Sequence, residues 1–185
     1  MSTARDRVRD HLLAHSVRRG DFVLKSGRRS TWFIDSKQTI CDGAVAADVA
    51  ELILENIPAS ATAIGGLTMG ADGVSFIAAG VAVARGRRLN SFSVRKEAKD
   101  HGAGGRIAGR LSTSDKVVIT EDTVTRGTSL IEAARVVRDF GAEVVHIIAV
   151  VDRGGTAAAM AAAEGWTFTA IFTAPDLGFD YEGAV

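Results

Sequence analysis

Apolar positions along the chain repeat with two alternating periods. Behind Thr3 and Asp6, which suit a capping box, Val8 and Leu12 fall one helical turn apart and predict a first helix. In GAVAADVAELILEN, after Asp42, Val45, Val49, Leu52 and Ile53 keep helical spacing until Asn56 and Pro58 stop the run. ATAIGG then reads as a short buried strand ending in glycines, DGVSFIAAGVAVA as a helix and LNSFSV as a strand. DKVVIT predicts a further strand, SLIEAARVVRDF a helix, EVVHIIAVV a long β-branched strand, TAAAMAAAEG a helix and WTFTAIF a last strand. Strands that are apolar on both faces and alternate with helices predict an α/β fold, a parallel, Rossmann-like sheet with helices on each side. In such a sheet, function gathers at the carboxyl ends of the strands.

Composition narrows the picture. The chain has 185 residues, 46% of them hydrophobic and 24% charged, the profile of a globular protein and the size of one domain, here spanning residues 1–185. No apolar run approaches the roughly 20 residues that cross a bilayer, and MSTARDRVRDHLLAHSV lacks the apolar core of a signal peptide, so a cytoplasmic protein without membrane contact is expected. Twenty-two bases balance twenty-two acids, which leaves no global field to gather nucleic acid. A polyanionic small molecule fits better. The single cysteine, Cys41, excludes an internal disulfide and a Cys-rich metal site, and His11, His15 and His146 show no metal-ligand spacing.

The chemistry concentrates at residues 121–129, EDTVTRGTS, between the DKVVIT strand and the helix after it. A Thr/Gly/Ser turn there aims backbone N–H groups and a helix dipole at one point, a cradle for phosphate lined by Thr125, Gly127, Thr128 and Ser129. No Gly-Lys pair exists, which excludes a Walker A loop, and no G-x-G-x-x-G follows a strand. Glu121 and Asp122 would repel a bare phosphate, but carboxylates accept hydrogen bonds from a sugar diol. A ribose 5-phosphate satisfies both halves. The plainer alternative is a polar loop with Thr128 or Ser129 as the helix N-cap.

An apolar strand, two acids and a Thr-x-Gly-Thr/Ser turn resemble the phosphoribosyl pyrophosphate (PRPP) signature of the type I phosphoribosyltransferases. Three further stretches resemble the orotate phosphoribosyltransferases in family order: FVLKSGRRSTWFID an N-terminal segment, VRKEAKDHGAGG a mobile catalytic loop, and VVDRGG a base-holding strand end. The resemblance implies a type I fold with a small N-terminal hood, PRPP and orotate as substrates, Mg²⁺ bound mainly through PRPP with no protein metal site, and a homodimer whose catalytic loop serves the neighbouring subunit. By matching positions it implies that Lys25, Arg95, Lys96, Lys99 and His101, with Glu121, Asp122, Thr123, Val124, Thr125, Arg126, Gly127, Thr128 and Ser129, bind PRPP. Phe33, Ile34, Thr125 and Arg153 would bind orotate, and Lys99 and His101 would be catalytic.

The implied roles agree with the chemistry. A pyrophosphate leaving group gains charge as its bond to C1 breaks, so cations that arrive late stabilise the transition state more than the ground state. Arg153, at the end of an apolar strand, carries a planar fork that matches a carboxylate. Two departures stand out. GGLTMGAD places Thr68 and Met69 where many relatives carry Tyr-Lys, which removes a pyrophosphate-reaching charge, and Arg126 replaces a small residue within the turn, where it either meets phosphate or points to solvent. The alternatives are a type I enzyme for another base and a PRPP-sensing regulator without catalysis.

Overall fold

Val117 and Ile119 point to one side of the central sheet and Val118 to the other, all three fully buried, so two separate cores form around a single strand. The computed structural model describes residues 2–23, 27, 29–98 and 105–182. Helix α1 (Ala4–His11) opens with the expected capping box: Thr3 Oγ1 accepts from the Asp6 amide at 3.1 Å and the Thr3 amide donates back to Asp6 at 3.2 Å. A π-helical turn, Leu12–Ser16, leads into β1 (Val17–Val23) and β2 (Arg29–Ile34), which pair antiparallel as a separate two-stranded sheet. Helices α2 (Lys37–Ile40) and α3 (Ala46–Asn56) follow, then β3 (Ala63–Leu67), α4 (Gly70–Ala84) and β4 (Asn90–Val94). The remainder is β5 (Ile107–Gly109), β6 (Lys116–Val124), α5 (Thr128–Phe140), β7 (Glu143–Asp152), α6 (Ala157–Ala163), β8 (Phe168–Thr173) and a 3₁₀ turn at Pro175–Leu177.

The main sheet has the order β5-β4-β3-β6-β7-β8. Every neighbouring pair is parallel except β4 and the edge strand β5, which run antiparallel. One core packs α1, α3 and α4 through Val8, Ile53 and Val74 against Val118, Ile148 and Val150; the other packs α5 and α6 through Leu130, Val137 and Ala161 against Val117, Ile119 and Ile147. Each of these valine, leucine and isoleucine side chains contributes about 1.5–3 kcal/mol on burial, and Ala161 less. The helix-covered parallel sheet inferred from apolar periodicity is therefore present.

Two local differences bear on function. The apolar pattern ends the strand at Thr120, whereas β6 continues to Val124, because the ladder with β7 extends through Glu121↔Ala149, Thr123↔Val151 and Val124↔Asp152. Glu121 and Asp122 thus lie inside a central strand and are buried. In β2, alternation buries Ser30, Trp32 and Ile34 and leaves Phe33 40% exposed, so Phe33 and Ile34 present their side chains to opposite faces.

Candidate active site

Strand β6 delivers its two acids to the start of α4. A Cβ added at Gly70 would stand 1.7 Å from Glu121 Oε1 and 2.8 Å from Asp122 Oδ1, so the two carboxyl groups converge on the backbone of this glycine. Lys37, at the first position of α2, donates to the Asp122 carboxylate. Burial, then repulsion from Asp122, pushes the Glu121 carboxyl up to about 8, against the opposing pull of Lys37. Burial works to lower the Lys37 pKa, but its hydrogen bond and attraction to Asp122 outweigh that and raise it. Near neutral pH the Glu121 carboxyl therefore tends to keep its proton beside the Lys37 ammonium.

Immediately beyond, Gly127 caps α5 with φ 87° and no side-chain oxygen takes part in the cap. Only glycine adopts this left-handed backbone at little cost. The alternative of Thr128 or Ser129 as N-cap is not realised, and no side-chain oxygen caps the helix start.

The end of β7 forms the opposite wall. Asp152 accepts from the amides of Gly154 (3.0 Å) and Gly155 (2.9 Å), shaping the turn that projects Arg153. The Arg153 amide donates to Val124 O at 2.8 Å, and a Cβ at Gly154 would lie 1.5 Å from Thr125 O, so the two strand ends sit against one another. The Arg153 guanidinium lies 5.1 Å from the centre of the Trp32 ring, and its Nη2 donates to Ser30 Oγ and Trp32 O, each at 3.2 Å, and to Glu182. The two-stranded sheet is thereby tied to the main one.

Between these walls lies a cleft of about 860 Å³. Of the residues singled out from sequence, Phe33, Glu121, Thr123, Val124, Thr125, Arg126, Gly127, Thr128, Ser129 and Arg153 line it together, with Arg18 and Phe22 added by the two-stranded sheet. Arg126 thus faces the cleft rather than only solvent. Asp122 adjoins it through Glu121 and Lys37, while Ile34 turns its side chain into the core. Arg95 and Lys96 stand at the base of the loop after β4, where the Arg95 amide donates to Arg106 O at 2.7 Å and Arg106 pairs with Glu132 of α5. Lys25, Lys99 and His101 lie outside the described residues, as does the central part of the 95–109 loop. Among the described residues no three His, Cys, Asp or Glu side chains gather as a metal cage. Lys37 carried no sequence signal: a lysine that begins a four-residue helix matches no motif, and only folding sets it against Asp122.

The phosphoribosyl transferase domain family matches residues 47–164. A protein named orotate phosphoribosyltransferase from Streptomyces avermitilis is 37% identical over 175 residues, covering 94% of each chain. The chain belongs to the orotate phosphoribosyltransferase family. The crystal structure of the Mycobacterium tuberculosis orotate phosphoribosyltransferase in complex with Fe(III) dicitrate superposes with a TM-score of 0.84 at 33% identity, over 95% of this chain and 99% of that one. That enzyme's complex with 5-phospho-α-D-ribosyl 1-diphosphate gives a TM-score of 0.79 at 31% identity with the same coverage. The type I phosphoribosyltransferase fold inferred from the motifs is the fold found, and in it Glu121 of β6, the turn before α5 and Arg153 line one cleft.

Proposed function

We propose that the protein transfers the 5-phosphoribosyl group from PRPP to orotate in pyrimidine synthesis: N1 of orotate bonds to C1 of the ribose as the C1–oxygen bond to pyrophosphate breaks, giving orotidine 5′-monophosphate and pyrophosphate, with the N1 proton released. The observation that carries this reading is the one cleft in which buried Glu121, a Thr/Gly/Ser turn and Arg153 meet.

In this reading the amides and hydroxyls of Thr125, Gly127, Thr128 and Ser129 hold the 5-phosphate, with Arg126 beside them. Glu121 and Asp122 take the ribose diol. Phe33 covers one face of the orotate ring, Ile34 supports it from the core side, and Thr125 and Arg153 hold its polar edge and carboxylate. Lys25, Arg95, Lys96, Lys99 and His101 supply positive charge toward the pyrophosphate, Lys99 and His101 as the catalytic pair and His101 as the proton donor to the leaving group. Mg²⁺ would enter on PRPP oxygens, near the adjacent carboxyls of Glu121 and Asp122, and would supply charge neutralisation there. The domain spans residues 1–185, works in the cytoplasm without nucleic acid or membrane, and pairs as a homodimer that shares its catalytic loops. The apolar face of α4, with Phe76 53% and Val83 64% exposed, supports such pairing.

Purified protein, Mg²⁺ and PRPP are mixed with orotate, adenine or uracil, and absorbance of the base is followed. Loss of orotate absorbance with stoichiometric pyrophosphate release is expected, strongly reduced in Lys99→Ala. Turnover of another base instead, or PRPP binding without turnover of any, would replace this reading by the other-base enzyme or the sensor.

A further inference from the structure

The last described residues fold back over the end of β7. Phe179 stacks on Trp32 with ring centroids 4.3 Å apart and planes 11° from parallel. The Tyr181 ring covers Gly155, where an added Cβ would come within 2.8 Å of the ring. The Glu182 amide then donates to Arg153 O at 3.0 Å, while the Glu182 carboxylate accepts from Arg153 Nη2 and from the Ser30 hydroxyl. Backbone and side chain of one residue thus clasp the backbone and side chain of another, and both side chains are enclosed, at 7% and 15% exposure.

The donors divide by direction. Ser30 Oγ, Trp32 O and Glu182 all draw on Nη2 of Arg153, whereas Nε is buried and has no acceptor among the described residues. An unpartnered buried N–H on a guanidinium that also lines the cleft is a donor in want of an acceptor. An arginine enclosed to this degree also needs a counter-charge before any ligand arrives. Glu182, which is not among the residues lining the cleft, meets that need at Nη2.

We propose that Glu182 is a positioning residue for substrate selection: by gripping Nη2 of Arg153 it presents the rest of the guanidinium to the carboxylate of the base. This rests on the assignment of Arg153 to orotate. The base specificity of the cleft then depends on a C-terminal residue that does not line it.

Steady-state kinetics on Glu182→Ala, Glu182→Gln and Arg153→Ala, with melting curves for each, test the idea. Glu182→Ala is expected to raise the orotate KM about tenfold while the PRPP KM stays within about twofold, because one charge-assisted bond that aligns Arg153 is lost. Glu182→Gln keeps an acceptor oxygen but not the counter-charge and is expected to recover only part of that loss, whereas a merely stabilising tail would lower the melting temperature without separating the orotate KM from the PRPP KM. An orotate KM that is unchanged in Glu182→Ala, or lowered as for a displaced plug, overturns the proposal. An orotate KM unchanged in Arg153→Ala overturns instead the assignment of Arg153 beneath it.

Discussion

The ammonium of Lys37 donates to the carboxylate of Asp122 across 85 positions of sequence. The same Lys37 is the cation that opposes the upward shift of Glu121, against the larger effects of burial and of Asp122. With Met69 72% exposed in the adjoining loop and unable to carry charge, Lys37 is the cation that the described residues place on the two acids.

Lys37→Met should therefore weaken PRPP more than orotate. Removing the cation takes away the pull that opposes the upward shift of Glu121, so that carboxyl will hold its proton more tightly. The PRPP KM is expected to rise about tenfold, the cost of one charge-assisted contact, with the orotate KM nearly unchanged. Equal effects on both substrates would refute a local role.

The Glu121 carboxyl predicts a pH dependence of stability. Its folded pKa is raised to about 8 from the model-compound value of 4.5. A carboxyl held protonated in the fold contributes stability that is complete below the unfolded pKa, and the contribution is lost as pH rises through the folded one, because the unfolded chain ionises first. The melting temperature of the ligand-free protein should fall between pH 5 and about 8, and Glu121→Gln, neutral throughout, should flatten that decline. A wild-type slope retained in the variant would show that another group titrates.

Proton release on ligand binding follows from the same shift. If the diol and its cation favour ionised carboxylates, PRPP with Mg²⁺ should expel close to one proton near pH 7, read by titration calorimetry in buffers of different ionisation enthalpy. Glu121→Gln should release none. Binding heats that are independent of buffer in the wild type would place the ligand elsewhere.

Gly70→Ala probes the contact between the acids and α4. The new methyl would overlap Glu121 Oε1, the end of a flexible side chain, so the carboxyl moves while the fold survives. A loss of PRPP affinity of about tenfold or more is expected, with a melting temperature lowered by only a few degrees. Full affinity would show that the acids bind ligand from some other position.

Ile119→Ala tests the core beneath the site. The side chain is fully buried, and its truncation should cost about 3 kcal/mol, lowering the melting temperature by roughly 10 °C, with substrate KM values little changed. A loss below 1 kcal/mol, roughly the smallest cost of a well-collapsed deletion, would mean that the strand repacks.

What could be read before folding follows from how locally each signal is written. Val117 to Ile119 and Val144 to Val151 announce buried strands by composition alone, and Gly127 after an apolar strand announces a turn and a helix start. The strands β1 and β2 were not legible as strands, because VRRGDFV is charged and irregular and its pairing shifts register between Arg19 and Phe22. The reach of β6 to Val124 was hidden for a related reason: acids disfavour strands locally, and only the ladder with β7 holds Glu121 and Asp122 in one.

By itself, the sequence determined the alternation of strands and helices from Ala63 onward, the parallel sheet and the glycine turn before α5, since each depends on side-chain periodicity or backbone freedom within a few residues. Tertiary structure alone decided that Glu121 is buried with its carboxyl pKa pushed up, that Lys37 answers Asp122, and that Glu182 grips Arg153 from 29 residues away. Those facts belong to desolvation and to contacts between distant segments, which exist only once the sheet has brought its strand ends together.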